Sequence, residues 1–233
     1  MNLPANVLRS VGVIALSGFS LIGSSARADT AIERLDAAAT AFSEIMQTPD
    51  QGIPQDLLED AHCIVIVPGV KKAAFVIGGK YGKGFVICRN GNNSGWGAPA
   101  AVRIEGGSIG WQVGGSETDV IMLVMNQRGM DRLLQSKFTL GGSAEVAAGP
   151  VGRTSSAQTD AKLTAKILEW SRSRGVFAGV SLGGATLRND LDANQELYGK
   201  PLHNRDIIMK RVRPPEAATK LLALLSKYSR RES

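Results

Sequence analysis

The sequence predicts an α+β fold: a glycine-rich, largely antiparallel sheet or barrel-like core with helices at both ends. Three observations carry that expectation. Strong helical periodicity is confined to the ends of the mature segment. Between them, short β-branched runs alternate with glycine. No repeat of about 20–50 residues appears, which excludes a solenoid.

Composition narrows the function classes. The chain has 233 residues, 27 of them glycine, well above the usual level of about 7%. No Gly-X-Y period accompanies this excess, so it is not collagen-like. With 43% apolar and 21% charged residues, it is not a disordered tail. Two histidines and two cysteines leave little material for a metal centre, and neither a metal nor a cofactor is expected. An aromatic content of 5% argues against a base-stacking platform, so nucleic acid is not an expected partner. The net charge of +6 favours an anionic one.

Residues 1–28 read as a secretory signal peptide. Arg9 supplies the positive start, Val11 to Ile22 form the apolar stretch, and Ala26-Arg27-Ala28 fits the cleavage rule. The apolar stretch is shorter than the roughly 20 residues that a spanning helix needs. No cysteine stands near the cleavage point, so no lipid anchor is expected. The expected location is the periplasmic space, soluble or peripherally membrane-associated. In that oxidising setting Cys63 and Cys88 can pair as a disulfide, or stand as two buried thiols.

Residues 29–233 read as a single domain. It opens on a helix from Asp29 to Met46, where Thr30 and Glu33 form a capping box and Ile32, Leu35, Ala39, Phe42 and Ile45 recur at helical spacing. A short second helix, Gln55 to Ala61, turns Leu57 and Leu58 inward. Strand runs follow at Cys63–Val67, closed by a Pro68-Gly69 turn, and at Ala73–Ile77, Gly84–Arg89, Ala100–Glu105, Ser108–Val113 and Val120–Met125. Asn90 to Gly95 is the clearest turn signal, and Asn126 to Leu134 reads as a short helix. Further strands are expected at Glu145–Ala148 and Gly175–Leu187, whereas Lys162 to Trp170 suits helix and strand equally. Pro214-Pro215 introduces a basic C-terminal helix, 216–228, with Leu221, Leu222, Leu224, Leu225 and Tyr228 on one stripe.

Catalytic motifs fail on context. Gly106-Gly-Ser108-Ile-Gly110 and Gly179-Val-Ser181-Leu-Gly183 match G-x-S-x-G, but neither serine precedes a helix start. His203 with Asp190 or Asp192 stands too close in sequence to Ser181 for the usual strand–helix units between triad members. The glycine runs at Gly78–Gly84 and Gly149–Thr154 lack the phosphate-loop spacing, and no G-x-G-x-x-G is present. The chain is not expected to be an enzyme.

Five ordered motifs remain: Ile64-Val-Ile-Val-Pro68, Gly78-Gly-Lys-Tyr-Gly82, Trp96-Gly-Ala-Pro99, Gly149-Pro-Val-Gly-Arg153 and Ser171-Arg-Ser-Arg-Gly-Val-Phe-Ala-Gly-Val-Ser-Leu182. With Asn194 and Tyr198-Gly199 they make the chain similar to the SYLF lipid-binding domain family, over a core of about 32–208. The resemblance implies a compact α+β domain and the binding of anionic phospholipid headgroups without catalysis. Eukaryotic members bind phosphoinositides and some yeast members bind actin filaments; export makes actin an unlikely partner here. The first helix carries Asp29, Glu33, Asp36 and Glu44 against Arg34 alone, so it is not the basic amphipathic helix through which eukaryotic members engage membranes. The alternative expectation is a cell-envelope structural or interaction protein that binds a protein partner without lipid dependence.

Two basic stretches are the candidate headgroup sites. Lys71, Lys72, Lys80, Lys83 and Arg89 fall within an acid-free stretch beside the expected turns. A second surface comprises Lys210, Arg211, Arg213, Lys220 and Lys227, with Arg230 and Arg231 beyond it. Each such charge near an anionic surface contributes about 1 kcal/mol.

Overall fold

The computed structural model describes residues 29–48, 52–91, 95–140, 146–149, 167–173, 176–177 and 182–229, with the backbone alone at 73–77, 108–116, 146–148 and 176–177. The expected leader, Ser181, the motif after Gly149, and Arg230 and Arg231 lie outside the described residues.

The fold is α+β, a curled, largely antiparallel sheet with helices at both ends. Helix α1 (Ala31–Gln47) begins at the capping box read from the sequence: Thr30 accepts from the Glu33 N–H, and Glu33 reaches back to the Thr30 N–H. It buries Ala31, Leu35, Ala38, Phe42 and Ile45, while Ile32 is 55% exposed. The inward stripe therefore starts one residue earlier than the spacing suggested, on the smaller Ala31. Burying Leu35, Phe42 and Ile45 stabilises the domain by roughly 1.5–3 kcal/mol each. Helix α2 (Gln55–Asp60) buries Leu57 and Leu58 as expected.

The six strand runs expected between Cys63 and Met125 form two long strands, β1 (Cys63–Cys88) and β2 (Ala100–Val124). They pair antiparallel from Cys63↔Val124 to Val86↔Ala100. Pro68-Gly69 is a bulge and not a turn, since the register shifts between Val67 and Val70 while the ladder continues. Gly69 there has φ +58°, a conformation open to glycine. A second irregularity falls between Ala74 and Val76.

The ribbon coils until the ends of β1 meet. The Arg89 N–H donates to the His62 carbonyl at 2.9 Å, and Cys63 and Cys88, with Cα atoms 3.9 Å apart, form a disulfide. Such coiling needs close backbone approach. A Cβ at Gly84 would stand 2.1 Å from the Ile66 carbonyl oxygen, so only glycine fits.

The other edge of β2 takes β7 (Thr186–Asn189) at its first half and β5 (Ile167–Ser173) at its last. Strand β3 (Lys137–Thr139) extends β7, and β6 (Val176–Phe177) pairs β5. Strand β4 (Val146–Ala148) joins β5 in parallel. The ambiguous 162–170 stretch is thus strand from Ile167 onward. In place of one strand over 175–187, the chain carries β6, a turn at Gly183-Gly184, and β7.

Both sheet faces are covered, which explains apolar runs in place of strict alternation. Ile64, Ile66, Phe85, Ile87, Ile121 and Leu123 lie beneath α1, α2 and the last helix, α6 (Thr219–Tyr228). Val65, Val67, Val86, Val102, Val120 and Met122 face inward with Phe138, Leu187 and Ile207. The α6 stripe packs on the first of these cores, with Leu221 and Leu225 buried and Tyr228 edge-on to Phe42 at 5.9 Å. Helix α3 (Gln127–Leu133) is capped by Asn126. Helices α4 (Leu191–Tyr198) and α5 (Asn204–Met209) had no counterpart in the sequence reading. No helix among the described residues is long and apolar enough to cross a membrane.

Candidate functional site

The acid-free stretch in β1 does not form one basic patch. Side chains alternate across a strand, so adjacent Lys71 and Lys72 leave on opposite faces. Lys72 stands two residues from inward-facing Val70, within electrostatic reach of Lys80 and of Glu169 on β5. Burial, then Lys80, pushes the Lys72 ammonium below its usual range, with Glu169 opposing. Burial pushes Glu169 up to about 7, against the pull of the Leu182 N–H and the two lysines. Its buried Oε1 has no hydrogen-bond partner.

The remaining two cations of the stretch hold the fold together. Lys83 pairs at 3.1 Å with Asp190, which is 1% exposed. Asp190 also caps α4 through the Ala193 N–H. It is therefore committed to Lys83 and the cap, and His203 meets Asn189 instead. Arg89 donates to the carbonyls of Leu58, Ala61 and Ser229 and lies 4.4 Å over the Trp96 ring. Trp96 donates to the Ser229 hydroxyl at 2.8 Å. This guanidinium joins α2, β1 and the end of α6, a role that sequence reasoning assigned to a headgroup.

Lys71, with outward Tyr81 and Lys83, lines a cleft of about 690 Å³ between α1 and the outer face of β1 and β2. Arg34 and Glu44 of α1 line its other wall, and Glu117 and Asp119 of β2 its floor. Asp119 accepts from the Gly69 N–H at 2.9 Å. Burial raises the Asp119 carboxyl above its usual range, with Glu117 adding to the rise and the Gly69 N–H opposing it. Arg172 of β5 holds Glu44. The cleft therefore carries both signs of charge.

The second basic surface is divided too. Lys220 reaches Asp36 of α1 at 2.5 Å, and Lys227 lies 5.3 Å from the Tyr228 ring. Lys210, Arg211 and Arg213 belong instead to a lobe over residues 200–213, where Lys200 and Arg205 are also exposed. Met209, 52% exposed, stands among them. The one acid in that segment, Asp206, pairs with Lys210 at 2.9 Å, and that bond holds its carboxyl below the usual range.

The lobe rests on a buried amide. Asn194, with no exposed surface, accepts from the Ala101 N–H and donates to Leu202 O and Asn204 Oδ1. Tyr198 donates to the Pro99 carbonyl. Gly199, φ +73°, ends α4 and sends the chain into the lobe. Lys200 and Arg205 went unnoticed because they are isolated in sequence; the structure leaves both exposed in the segment that runs on to 210–213.

Nothing among the described residues groups three or more metal-ligating side chains. Compared with known proteins, residues 105–228 match the family model described as "Ysc84: Las17-binding protein actin regulator". "LAS seventeen-binding protein 3" of Saccharomyces cerevisiae is 34% identical over 179 residues, 76% of this chain and 39% of that protein. "Protein YSC84" of the same yeast is 33% identical, over 76% of this chain and 38% of that protein. "SH3 domain-containing YSC84-like protein 1" of Homo sapiens is 30% identical over 191 residues, 81% of this chain and 55% of that protein. The chain thus spans about two fifths to just over half of the length of these relatives.

Proposed function

From the premise that the chain belongs to the Ysc84, or SYLF, family, we propose that it is a non-enzymatic binding module, exported to the periplasm, whose 200–213 lobe docks on anionic phospholipid headgroups. One observation carries this reading. Lys200, Arg205, Lys210, Arg211 and Arg213 are all exposed, as is Met209, with only Asp206 of opposite sign in the segment. Exposed cations in the same short segment as an exposed apolar side chain suit a lipid surface, where the cations meet phosphates and the methionine enters the headgroup boundary. Lys71, Lys72, Lys80, Lys83 and Arg89 are split between two faces or committed to partners, so they play the smaller part.

Vesicle co-sedimentation tests it. The protein should pellet with phosphatidylglycerol-containing vesicles, less so as salt rises, and not with pure phosphatidylcholine. The triple change Lys210→Glu, Arg211→Glu and Arg213→Glu should weaken that binding by at least about tenfold. Equal recovery with both vesicle types, unaffected by salt, would overturn the reading.

A second reading, docking of an acidic protein segment, draws on the family description and the relatives' names, which speak of protein binding. Retention of a partner from envelope extract after lipid removal, lost in the same triple variant, would favour it over the first.

A further inference from the structure

The cleft beneath α1 holds an ion pair that is laid out but not made. Lys71 and Glu117 are direct cross-strand partners in the β1–β2 ladder and line the same cavity. Opposite charges in that register ordinarily meet. Here the two side chains form no ion pair, and the Glu117 carboxylate leans over Gly69 instead, its Oε1 2.6 Å from where a Cβ would stand. Asp119 holds the Gly69 N–H beside it. Two carboxylates therefore stand over the Gly69 bulge, and Arg172, which holds Glu44, reaches only Asp119 of the two, at 3.9 Å.

A second observation points to a missing acceptor. Arg34, 9% exposed, lines the cleft wall and spends Nη2 on the Asp29 carbonyl at 2.7 Å. Its buried Nη1 has no hydrogen-bond partner. Leaving a charged donor buried and unpaired is costly, and a bound oxyanion would offset that cost. Tyr81, 48% exposed, offers a ring face at the same cleft, suited to an ammonium.

A simple anion would meet Glu117 and Asp119, and a simple cation would meet Lys71 and Arg34. Only a molecule carrying both charges satisfies both ends. We propose that this cleft binds a small zwitterion, with its oxyanion between Lys71 and Arg34 and its ammonium against Glu117, Asp119 and the Tyr81 ring. Phosphoethanolamine is the simplest probe of that chemistry. The cavity, at about 690 Å³, has room for a larger molecule bearing the same group. The site is independent of the 200–213 lobe, so either can fail without the other.

Titration calorimetry of the purified protein with phosphoethanolamine, inorganic phosphate and ethanolamine separates the possibilities. Phosphoethanolamine should bind at least about tenfold more tightly than either half alone. Lys71→Ala and Glu117→Gln, both at exposed positions, should each weaken it by about tenfold, while the triple lobe variant leaves it unchanged. A third arm identifies the source: competition of free phosphoethanolamine by phosphatidylethanolamine vesicles marks a lipid headgroup, and its absence marks a soluble ligand. Phosphate binding as tightly as phosphoethanolamine, no binding of any probe, or unchanged affinity in both cleft variants would overturn the proposal.

Discussion

Lys83 Nζ lies 3.1 Å from Asp190 Oδ2, and the carboxylate, 1% exposed against 32% for the lysine, governs what parting them costs. Removing the partner of a buried charge is far more damaging than the pair is stabilising. Lys83→Ala should lower the unfolding free energy in urea by about 2–3 kcal/mol, less than for a fully buried lysine. Asp190→Asn should cost less, because a neutral amide needs no cation and still accepts the Ala193 N–H that caps α4. A Lys83→Ala protein of unchanged stability but weakened vesicle binding would return Lys83 to the headgroup site.

Asn194 is the residue on which the 200–213 lobe depends. Its amide uses one acceptor and two donor bonds, at 2.7, 2.7 and 2.8 Å, to hold β2, α4 and α5 in one arrangement. Asn194→Ala should cost about 2–4 kcal/mol, since all three partners are left unpaired. Asn194→Asp should be as damaging, because a carboxylate cannot donate to the Leu202 carbonyl. Circular dichroism melts give the ranking; an Asp variant as stable as the parent would refute it.

Glu169 makes stability depend on pH. Its folded value of about 7 exceeds the ordinary 4.5, so the native state holds a proton that the unfolded chain releases. Its contribution is fully present below pH 4.5 and is lost as pH rises through about 7. Across that window the parent should lose about 3 kcal/mol relative to Glu169→Gln, which cannot ionise. Urea unfolding at a series of pH values measures the difference. A constant difference would mean that Lys72 and Lys80 keep the carboxylate ionised throughout.

Much of the secondary structure was legible, and the distribution of charge was not. The capping box of α1, the inward leucines of α2 and the stripe of α6 follow from local pattern and stand in the structure as read. The strand residues of β1 and β2 were also visible, but their glycines and Pro68-Gly69 were read as breaks. Bulges use the same residues as turns, and only the partner strand tells them apart. Each bulge also changes which face the following residues take, so no reading of β1 alone could say which of Lys71 and Lys72 turns inward. Arg89 was illegible for a different reason: its carbonyl partners at Leu58 and Ser229 lie 31 and 140 residues away. Helix α4 could have been anticipated from Asp190 and Gly199, a cap at each of its ends, whereas α5 has no side-chain cap to announce it. At eight and six residues, they show little periodicity to support such a reading.

The Cys63–Cys88 disulfide closes a loop of 25 residues within the coiled ribbon. Constraint of the unfolded chain by a loop of that length stabilises the fold by about 3 kcal/mol. Reduction, or Cys63→Ala with Cys88→Ala, should lower the urea midpoint accordingly while the folded signal persists, because Ile64, Ile66, Phe85 and Ile87 keep their burial beneath the helices. Complete loss of the folded signal on reduction at moderate temperature would show that the ribbon cannot hold its coil unaided.

The coil of β1 also sets how the chain can be divided. The family match begins at residue 105, five residues inside β2, and leaves out all of β1. A fragment cut there would strip β2 of its longest partner and expose one whole edge of the sheet to other molecules. Similarity over 105–228 thus marks the portion the family model recognises, whereas the paired ribbon and the core on its outer face reach back through β1 to α1. Any transplant of this module into another protein has to carry the ribbon whole.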